Sequence, residues 1–336
     1  MKLHNDKSAF EFMLNTISNR TGIRSDIVEK DYYVTLMLKE LSEKQANIPA
    51  YFKGGTALYK ALGSIRRFSE DIDLTVEIRD CNNTQAKKRI ERVSKKYTSL
   101  PRTNKSELET DKKGSITSVY EYEPISKADL SDPLQRFRYV KVEATSFTVS
   151  EPFEETEISP VVYQFANEQE RKTLKEVYDI EPFTIKTISI ERIFADKIFA
   201  AEFYYAREEY FDVAKHIYDI TVMMEQERII ALLNDTDELI RMIGFKRQEE
   251  SRRIGSDLAD KPINEFSFWD TAFHNERFAD TFITMQNVYV FNKEDRIALS
   301  ESEQSIKALK NILYDLNEEL EPITQDEEND ESMIMC

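Results

Sequence analysis

Cysteine, glycine, proline and long apolar runs are all scarce in this chain. Its two cysteines, Cys81 and Cys336, give no disulfide framework, and only 7 glycines and 9 prolines among 336 residues argue against low complexity. The three scattered histidines form no metal-binding cluster. No apolar run approaches the ~18 residues of a transmembrane helix, and the N-terminus lacks a signal-peptide core. We therefore expect a cytoplasmic protein with no membrane partner.

Basic residues are outnumbered, with 46 Lys and Arg against 63 Asp and Glu and a net charge of -17. This balance argues against a uniform nucleic-acid-binding surface, because phosphate binding needs clustered cations. A local basic patch or a basic partner protein stays possible. The 40% hydrophobic content, with 20 Phe and 16 Tyr, predicts a folded chain of about two domains.

Local patterns predict an α+β fold. Prolines 152, 160 and 182 mark a less regular region, and the C-terminal residues are strongly acidic. We predict an N-terminal α/β domain over 1–185, a helical domain over 186–317 and a disordered acidic tail over 318–336. Helical spacing favours helices over 8–45, 86–97 and most of the chain after 189, and alternation favours strands at 51–53, 71–76, 115–123 and 137–149.

Two short motifs carry the candidate chemistry. Asp71 and Asp73 alternate on a predicted strand, so both carboxylates project from one face and can hold Mg²⁺. Upstream, Gly54 and Gly55 follow a short strand and permit close approach of a ligand, and Thr56 is expected to cap a helix whose free N–H groups favour an anion. Each motif alone is more often structural, but their order predicts a triphosphate beside a metal.

Glu143 supplies a third acid. It alternates with apolar residues on its own predicted strand. If that strand neighbours the strand of Asp73, Glu143 completes a three-carboxylate cluster that binds a second metal or accepts the proton of the nucleophile. The alternative is a surface ladder of lysine and glutamate side chains.

The chain resembles the AbiEii/AbiGii toxins, which are nucleotidyltransferase-like proteins of the DNA polymerase β-type superfamily. The resemblance rests on Phe52-Lys53-Gly54-Gly55-Thr56-Ala57-Leu58 and on Arg67-Phe68-Ser69-Glu70-Asp71-Ile72-Asp73-Leu74. It covers about the first two-thirds of the chain, including Val28–Val34, Lys141–Glu143, Glu191–Lys197 and Arg207–Asp219. It implies a polymerase β-type nucleotidyltransferase fold for the N-terminal domain, Mg²⁺ or Mn²⁺ as cofactor, and a separately encoded antitoxin.

Lys197 lies in the middle of an apolar helical face, where a lysine must snorkel, pair or bind something. The resemblance implies that it contacts nucleotide phosphates. Asp212, His216 and Asp219 share a face of the next helix, and Asp212 is matched to a supporting acid of the family, whereas His216 is interpreted as structural. Arg207 departs from the position where the family often has arginine, which leaves its role open.

Two basic segments offset the acidity: the helix from Lys87 to Lys96, and a set made of Arg241, Lys246, Arg247, Arg252 and Arg253. Either is a solvated helix face or a path for an RNA backbone, and the resemblance favours RNA because some relatives add nucleotides to tRNA. We therefore predict a toxin that transfers a nucleoside monophosphate from a nucleoside triphosphate to tRNA. Transfer to a protein or small molecule, and non-enzymatic nucleotide binding, are the alternatives.

Overall fold

The computed structural model describes residues 1–63, 66–126, 138–253 and 256–316. The predicted acidic tail lies outside these residues. The described helices are α1 (Lys7–Thr21), α2 (Ser25–Gln45), α3 (Gly54–Lys60), α4 (Asn83–Ser94), α5 (Val161–Gln164), α6 (Glu168–Tyr178), α7 (Ile190–Tyr205), α8 (Tyr210–Met223), α9 (Glu227–Leu233), α10 (Thr236–Arg252), α11 (Phe268–Thr271), α12 (Glu276–Tyr289) and α13 (Leu299–Leu316). Within the described ranges, no helix combines the length and apolar character needed to span a bilayer.

The described strands form one mixed sheet in the order β3-β4-β5-β2-β1-β7-β6. They are β1 (Ala50–Lys53), β2 (Ile72–Val76), β3 (Thr110–Lys112), β4 (Ser115–Glu121), β5 (Tyr139–Thr145), β6 (Phe153–Ile158) and β7 (Phe183–Ile188). β2 pairs with β5, and β1 with β7, in parallel, and the remaining neighbours are antiparallel. The α+β prediction is confirmed, and the proposed division at 185/186 falls within β7.

The proline-marked region is more regular than predicted. It contains β6, α5, α6 and β7. Helix α6 begins with a capping box in which Asn167 and Glu170 bond each other's backbone N–H groups. Strand β6 lies at the sheet edge and carries Glu154, Glu155 and Glu157, so its apolar signal is weak. The prediction of irregular structure here was therefore wrong, because the prolines lie between these elements rather than inside them.

The two faces of the sheet have different surroundings. On β5, Val140, Val142 and Ala144 are fully buried and point to what we call the back face. Helix α4 packs on this face. Tyr120 is the register partner of Val140, and its hydroxyl donates to the carbonyl of Ser94, the last residue of α4, at 2.6 Å. Residues three positions from Val140 point the other way, so Glu143 lies on the front face.

One end of the front face is covered by the segment that follows β5. Thr148 donates from Oγ1 to Thr75 Oγ1 at 2.9 Å, and the Val149 N–H donates to Glu249 of α10 at 2.8 Å. Thr75 and Thr145 are buried beneath this segment. At the other end, Asp71, Asp73 and Glu143 keep partial exposure. The front face is therefore open where its carboxylates lie.

Candidate active site

A row of four side chains crosses the front face in register. Lys53 on β1 is the partner of Asp73 on β2, Asp73 is the partner of Glu143 on β5, and Glu143 is the partner of Thr117 on β4. Directly opposed residues on one face have Cβ atoms about 4.5–5.5 Å apart. The structure therefore brings Asp73 and Glu143 together, as the sequence predicted if their strands were neighbours.

Gly54 lies directly against Asp73. Its φ of 77° is in the left-handed region, and a Cβ added there would lie 2.2 Å from Asp73 Oδ2. A Cβ at Gly55 would lie 2.8 Å from Ser69 Oγ and 2.9 Å from an Arg67 guanidinium nitrogen. Neither position has space for a side chain. The backbone at the start of α3 therefore packs directly against side chains of β2 and of the loop before it.

Thr56 does not cap this helix, so that part of the prediction was wrong. The helix begins two residues earlier, at Gly54, and Lys53 precedes it. Thr56 is fully buried, and its hydroxyl donates to Ser69 Oγ at 3.0 Å. The hydroxyl joins α3 to the loop, and only the backbone N–H of Thr56 belongs to the first helical turn, where amides lack intrahelical partners.

The carboxylates carry more negative charge than their surroundings balance. Burial, followed by the charges of Glu143 and Asp71, raises the pKa of Asp73 to about 7, and Lys53 and Lys197 act in the opposite direction. Asp71 is half-exposed and lies 3.8 Å from the Lys141 ammonium. In the part of the chain that the structure describes, no three His, Cys, Asp or Glu side chains meet closely enough to hold a metal.

Oxygen donors nevertheless match the preference of a hard divalent cation, and a cation beside Asp73 would relieve the repulsion that raises its pKa. Asp73 and Glu143, which are register partners, and Asp71, whose charge acts on Asp73, supply donors of this kind. When bound there, a divalent cation would polarise phosphoryl oxygens.

Lys197 is buried and paired, and its partner is Asp219. The Lys197 ammonium lies 2.9 Å from Asp219 Oδ2, and Arg67 donates to both oxygens of the same carboxylate at 2.7 Å. Burial alone would raise the pKa of Asp219, but Arg67 and Lys197 outweigh it and hold the pKa at about 2. Lys197 is thus fixed at a position where its charge also acts on Asp73.

Helices α7 and α8 meet along one seam. Lys197 and Tyr204 lie seven residues apart on one face of α7, and Asp219, His216 and Asp212 line the facing side of α8. Tyr204 stacks on His216 at 5.4 Å between ring centroids. Burial, with Lys197 next, holds the pKa of His216 well below its usual range, so the ring is neutral and its structural interpretation fits.

Asp212 lies at the outer end of the seam. It is about two-fifths exposed and pairs with Lys215 at 3.0 Å, whereas Asp219 is fully buried against Lys197. The pKa of Tyr204 is raised to about 12, first by burial and then by Asp212, with Glu143 and Asp73 adding to it. Tyr204 is therefore influenced both by Asp212 and by the carboxylates of the site. Asp219 instead pairs with Lys197, the lysine predicted to bind phosphate.

The two basic segments do not form a channel to this site. Helix α4 packs on the back face, so Lys88, Arg92 and Lys96 cannot line the face that carries Asp73. In the second segment, Arg241 pairs with Glu238. Lys246 is buried against Glu249 and Glu250, and Arg247 donates to backbone carbonyls. Arg241, Lys246 and Arg247 therefore have their partners within the fold.

Sequence reasoning assigned no role to Lys53, Arg67 or Asp219. Asp219 had a signal, since it shares a helical face with Asp212 and His216. Arg67 and Lys53 had no such signal. Tertiary structure decides that Arg67 is buried although it lies in a polar loop, and it also decides that Lys53 is the register partner of Asp73.

The sequence as a whole also matches a known protein family. The family model described as nucleotidyl transferase AbiEii toxin, type IV toxin–antitoxin system, matches residues 36–323. The chain belongs to the AbiEii family. The resemblance seen in its motifs is confirmed, and it extends well beyond the first two-thirds of the chain. This AbiEii protein is accordingly a nucleotidyltransferase of a toxin family, for which an antitoxin and a nucleoside triphosphate substrate are implied.

A solved structure supports the fold of this AbiEii protein. MenT4, a nucleotidyltransferase toxin from Mycobacterium tuberculosis H37Rv, is similar with a TM-score of 0.55 and 14% identity over 90% of this chain and 89% of that chain. JHP933 from Helicobacter pylori has a TM-score of 0.42 and 15% identity to this chain, over 87% of this chain and 94% of that chain. No curated protein matches the sequence.

Proposed function

We propose that this AbiEii protein transfers a nucleoside monophosphate from a nucleoside triphosphate to an acceptor hydroxyl, with release of pyrophosphate, and that the acceptor is tRNA. The observation that carries the proposal is the contact of Gly54 with Asp73, at 2.2 Å from an added Cβ to Oδ2. Because of it, the glycine turn expected to hold phosphates and the carboxylates expected to hold a cation belong to one site.

Each predicted residue has a place in this scheme. Gly54, Gly55 and the backbone of Thr56 hold the triphosphate at the first turn of α3. Asp71, Asp73 and Glu143 hold Mg²⁺, with Mn²⁺ as a possible substitute, and Glu143 alternatively accepts the proton of the acceptor hydroxyl. Lys197 neutralises phosphate charge, and Asp219 with Arg67 fixes its position. Asp212 supports the site through Tyr204.

Two further roles follow from the family. As a toxin, the protein blocks bacterial growth or phage spread by modifying its acceptor, and a separately encoded antitoxin counters it. The alternatives are a protein or small-molecule acceptor, or nucleotide binding without catalysis. In the non-enzymatic case, Asp73→Ala would leave the toxic phenotype intact.

Incubation of the protein with each α-labelled nucleoside triphosphate, Mg²⁺ and total tRNA tests the proposal. Label in tRNA from one triphosphate, absent with Asp73→Asn, is the expected result. Parallel incubation with a protein extract freed of RNA identifies a protein acceptor. If folded wild-type protein with Mg²⁺ labels no macromolecule, the transfer reaction as stated is wrong.

A further inference from the structure

Near the C-terminal end of α7, two arginine side chains stack on one aromatic ring. The guanidinium carbon of Arg207 lies 3.5 Å from the ring centroid of Phe203, and that of Arg253 lies 3.7 Å from the same centroid. Two guanidinium groups at these distances would overlap if they shared one face of the ring. They therefore cover opposite faces, and Arg207-Phe203-Arg253 forms a three-layer stack.

The stack is joined to the active site. Phe203 meets the ring of Tyr204 edge to face at 5.3 Å, and Tyr204 lies on the same face of α7 as Lys197, about 10 Å further along the helix. Burial and then Asp212 raise the pKa of Tyr204, Arg253 lowers it, and Glu143 and Asp73 raise it further. The Tyr204 ring, which contacts Phe203, therefore connects the stack with the region of the carboxylates.

We propose that Phe203, Arg207 and Arg253 form a platform that binds the single-stranded 3′ end of an RNA acceptor and directs its terminal hydroxyl toward Glu143. This inference rests on the proposed transfer to an acceptor hydroxyl. The second sequence-predicted basic segment thus contributes Arg253 to the platform, whereas α4 lies on the back face and most cations of α10 are paired within the fold.

The chemistry of the stack favours nucleic acid over a protein acceptor. A guanidinium plane that stacks on an aromatic ring keeps its outer face for a base and its edge N–H groups for phosphate oxygens. Arg207 is exposed and the Arg253 side chain is about one-quarter exposed, so both present such a surface. On a chain with a net charge of -17, a nucleic acid strand must be held by a few local cations of this kind.

The competing view is that the stack only fastens α10 to α7. Arg253 pairs with the buried Glu250 at 3.4 Å, and Arg207 donates to the Phe203 carbonyl at 2.7 Å, so both arginines also have contacts within the fold. A purely structural clasp would affect stability, and would leave the affinity for an RNA strand unchanged once the protein is folded. Binding and stability must therefore be measured separately.

The test measures fluorescence anisotropy of a 5′-fluorescein-labelled, eight-nucleotide single-stranded RNA with a free 3′ hydroxyl, without nucleoside triphosphate. Arg207→Ala/Arg253→Ala is expected to weaken binding about tenfold or more, the loss of roughly one stacked base. Arg207→Lys/Arg253→Lys keeps both charges but not the planar stack, and its affinity should be intermediate. The matched control Arg92→Ala/Lys96→Ala removes two cations from the back face and should change affinity less than about twofold.

Thermal unfolding and the affinity for a fluorescent nucleoside triphosphate are recorded for the same variants. Unchanged RNA affinity in the folded double alanine variant overturns the platform, and so does an equal loss of nucleotide affinity. If wild type labels tRNA and the variant has an unchanged KM for tRNA, the platform is wrong and the proposed function stands. If wild type binds the strand and transfers nothing, while the variant binds it weakly, the platform stands and the proposed function fails.

Discussion

Asp73 is partly buried and Asp219 is fully buried, and the charge of Lys197 acts on both. Their environments nevertheless shift the pKa of the two carboxyl groups in opposite directions. Burial and the neighbouring carboxylates raise the pKa of Asp73 to about 7. Asp219 is more deeply buried, but Arg67 and Lys197 hold its pKa at about 2. The difference arises from partners rather than from burial, since one aspartate faces other acids and the other faces two cations.

This contrast separates a binding region from a supporting region. The carboxylate row keeps a negative charge that the fold does not balance, which is the condition for holding a cation. The Asp219 cluster is satisfied within the protein, and its effect on chemistry passes through the position of Lys197. Changes in the first region should therefore remove activity and spare the fold, whereas changes in the second should cost stability.

Asp73→Asn is expected to have the largest effect. It removes one charged oxygen donor from the proposed cation site, and loss of several kcal/mol of transition-state stabilisation lowers the transfer rate by about 10³-fold or more. Initial rates of label transfer measure the effect, and thermal unfolding should show that the variant is folded. Retention of more than a tenth of the activity would contradict the assignment of Asp73.

Asp219→Asn tests the supporting region, in which the charge of Asp219 is balanced by two cations. It leaves Arg67 and Lys197 buried without a balancing charge, which should cost about 3–5 kcal/mol of stability. Asp212→Asn is the matched control, because the partly exposed pair with Lys215 should contribute no more than about 1 kcal/mol. Urea unfolding midpoints compare the two, and equal midpoints would show that the buried cluster is not a stabilising unit.

Gly54→Ala tests the contact between the glycine turn and the carboxylates. The added Cβ would displace Asp73, and misplacement by about 1 Å can lower activity about 100-fold. Gly22→Ala is the control, since Gly22 has a similar φ of 76° with nothing within 4 Å of an added Cβ. Both variants should lose about 1–2 kcal/mol from backbone strain, but only Gly54→Ala should lose transfer activity.

The raised pKa of Asp73 predicts a smaller effect, a change in stability with pH whose direction is known. Because the folded pKa of Asp73 lies above its ordinary value of 3.8, the native state binds a proton more readily than the unfolded state between about pH 4 and pH 7. The free energy of unfolding therefore falls as the pH rises through this window. Without metal, Tm of wild type should fall more steeply from pH 5 to pH 8 than Tm of Asp73→Asn.

Addition of Mg²⁺ at pH 8 should raise Tm of wild type and leave Asp73→Asn nearly unchanged, because binding to the native state alone is stabilising. Parallel pH curves for the two proteins, or an equal response to Mg²⁺, would place the unbalanced charge elsewhere. The measurement is a pH series of thermal unfolding curves with chelator or with metal.

Much of the carboxylate row follows from local sequence patterns. Alternation around Asp73 and Glu143 predicts two strands whose acids face away from the core, and Gly54-Gly55 predicts a close approach. What alternation cannot give is pairing. That β2 and β5 are neighbours in register is a property of the whole sheet, and it decides whether Asp73 and Glu143 form a pair or two separate surface acids.

Partners distant in sequence were the harder part. The spacing of Asp219 places it on the face of α8 that meets α7, but choosing it over Asp212 requires knowing that Arg67 turns inward 152 residues earlier in the chain. A similar limit explains the missed β6, since an acidic edge strand lacks the apolar signal of a central one. Which face of the sheet a helix covers is equally absent from its periodicity.

Helix α4 makes that last point testable, with the smallest expected effect. From the sequence, the exposed Lys88 and Arg92 of α4 and Lys96 just after it form either a solvated face or a path for RNA, and in the structure they lie behind the sheet. Reversal of all three to Glu should therefore change kcat/KM for tRNA by less than about threefold at 0.15 M salt, where screening beyond about 8 Å leaves only local charges effective. A loss of tenfold or more, with nucleotide affinity intact, would mean that the acceptor wraps around the sheet edge, and the binding surface would then have to be extended from the front face to the back.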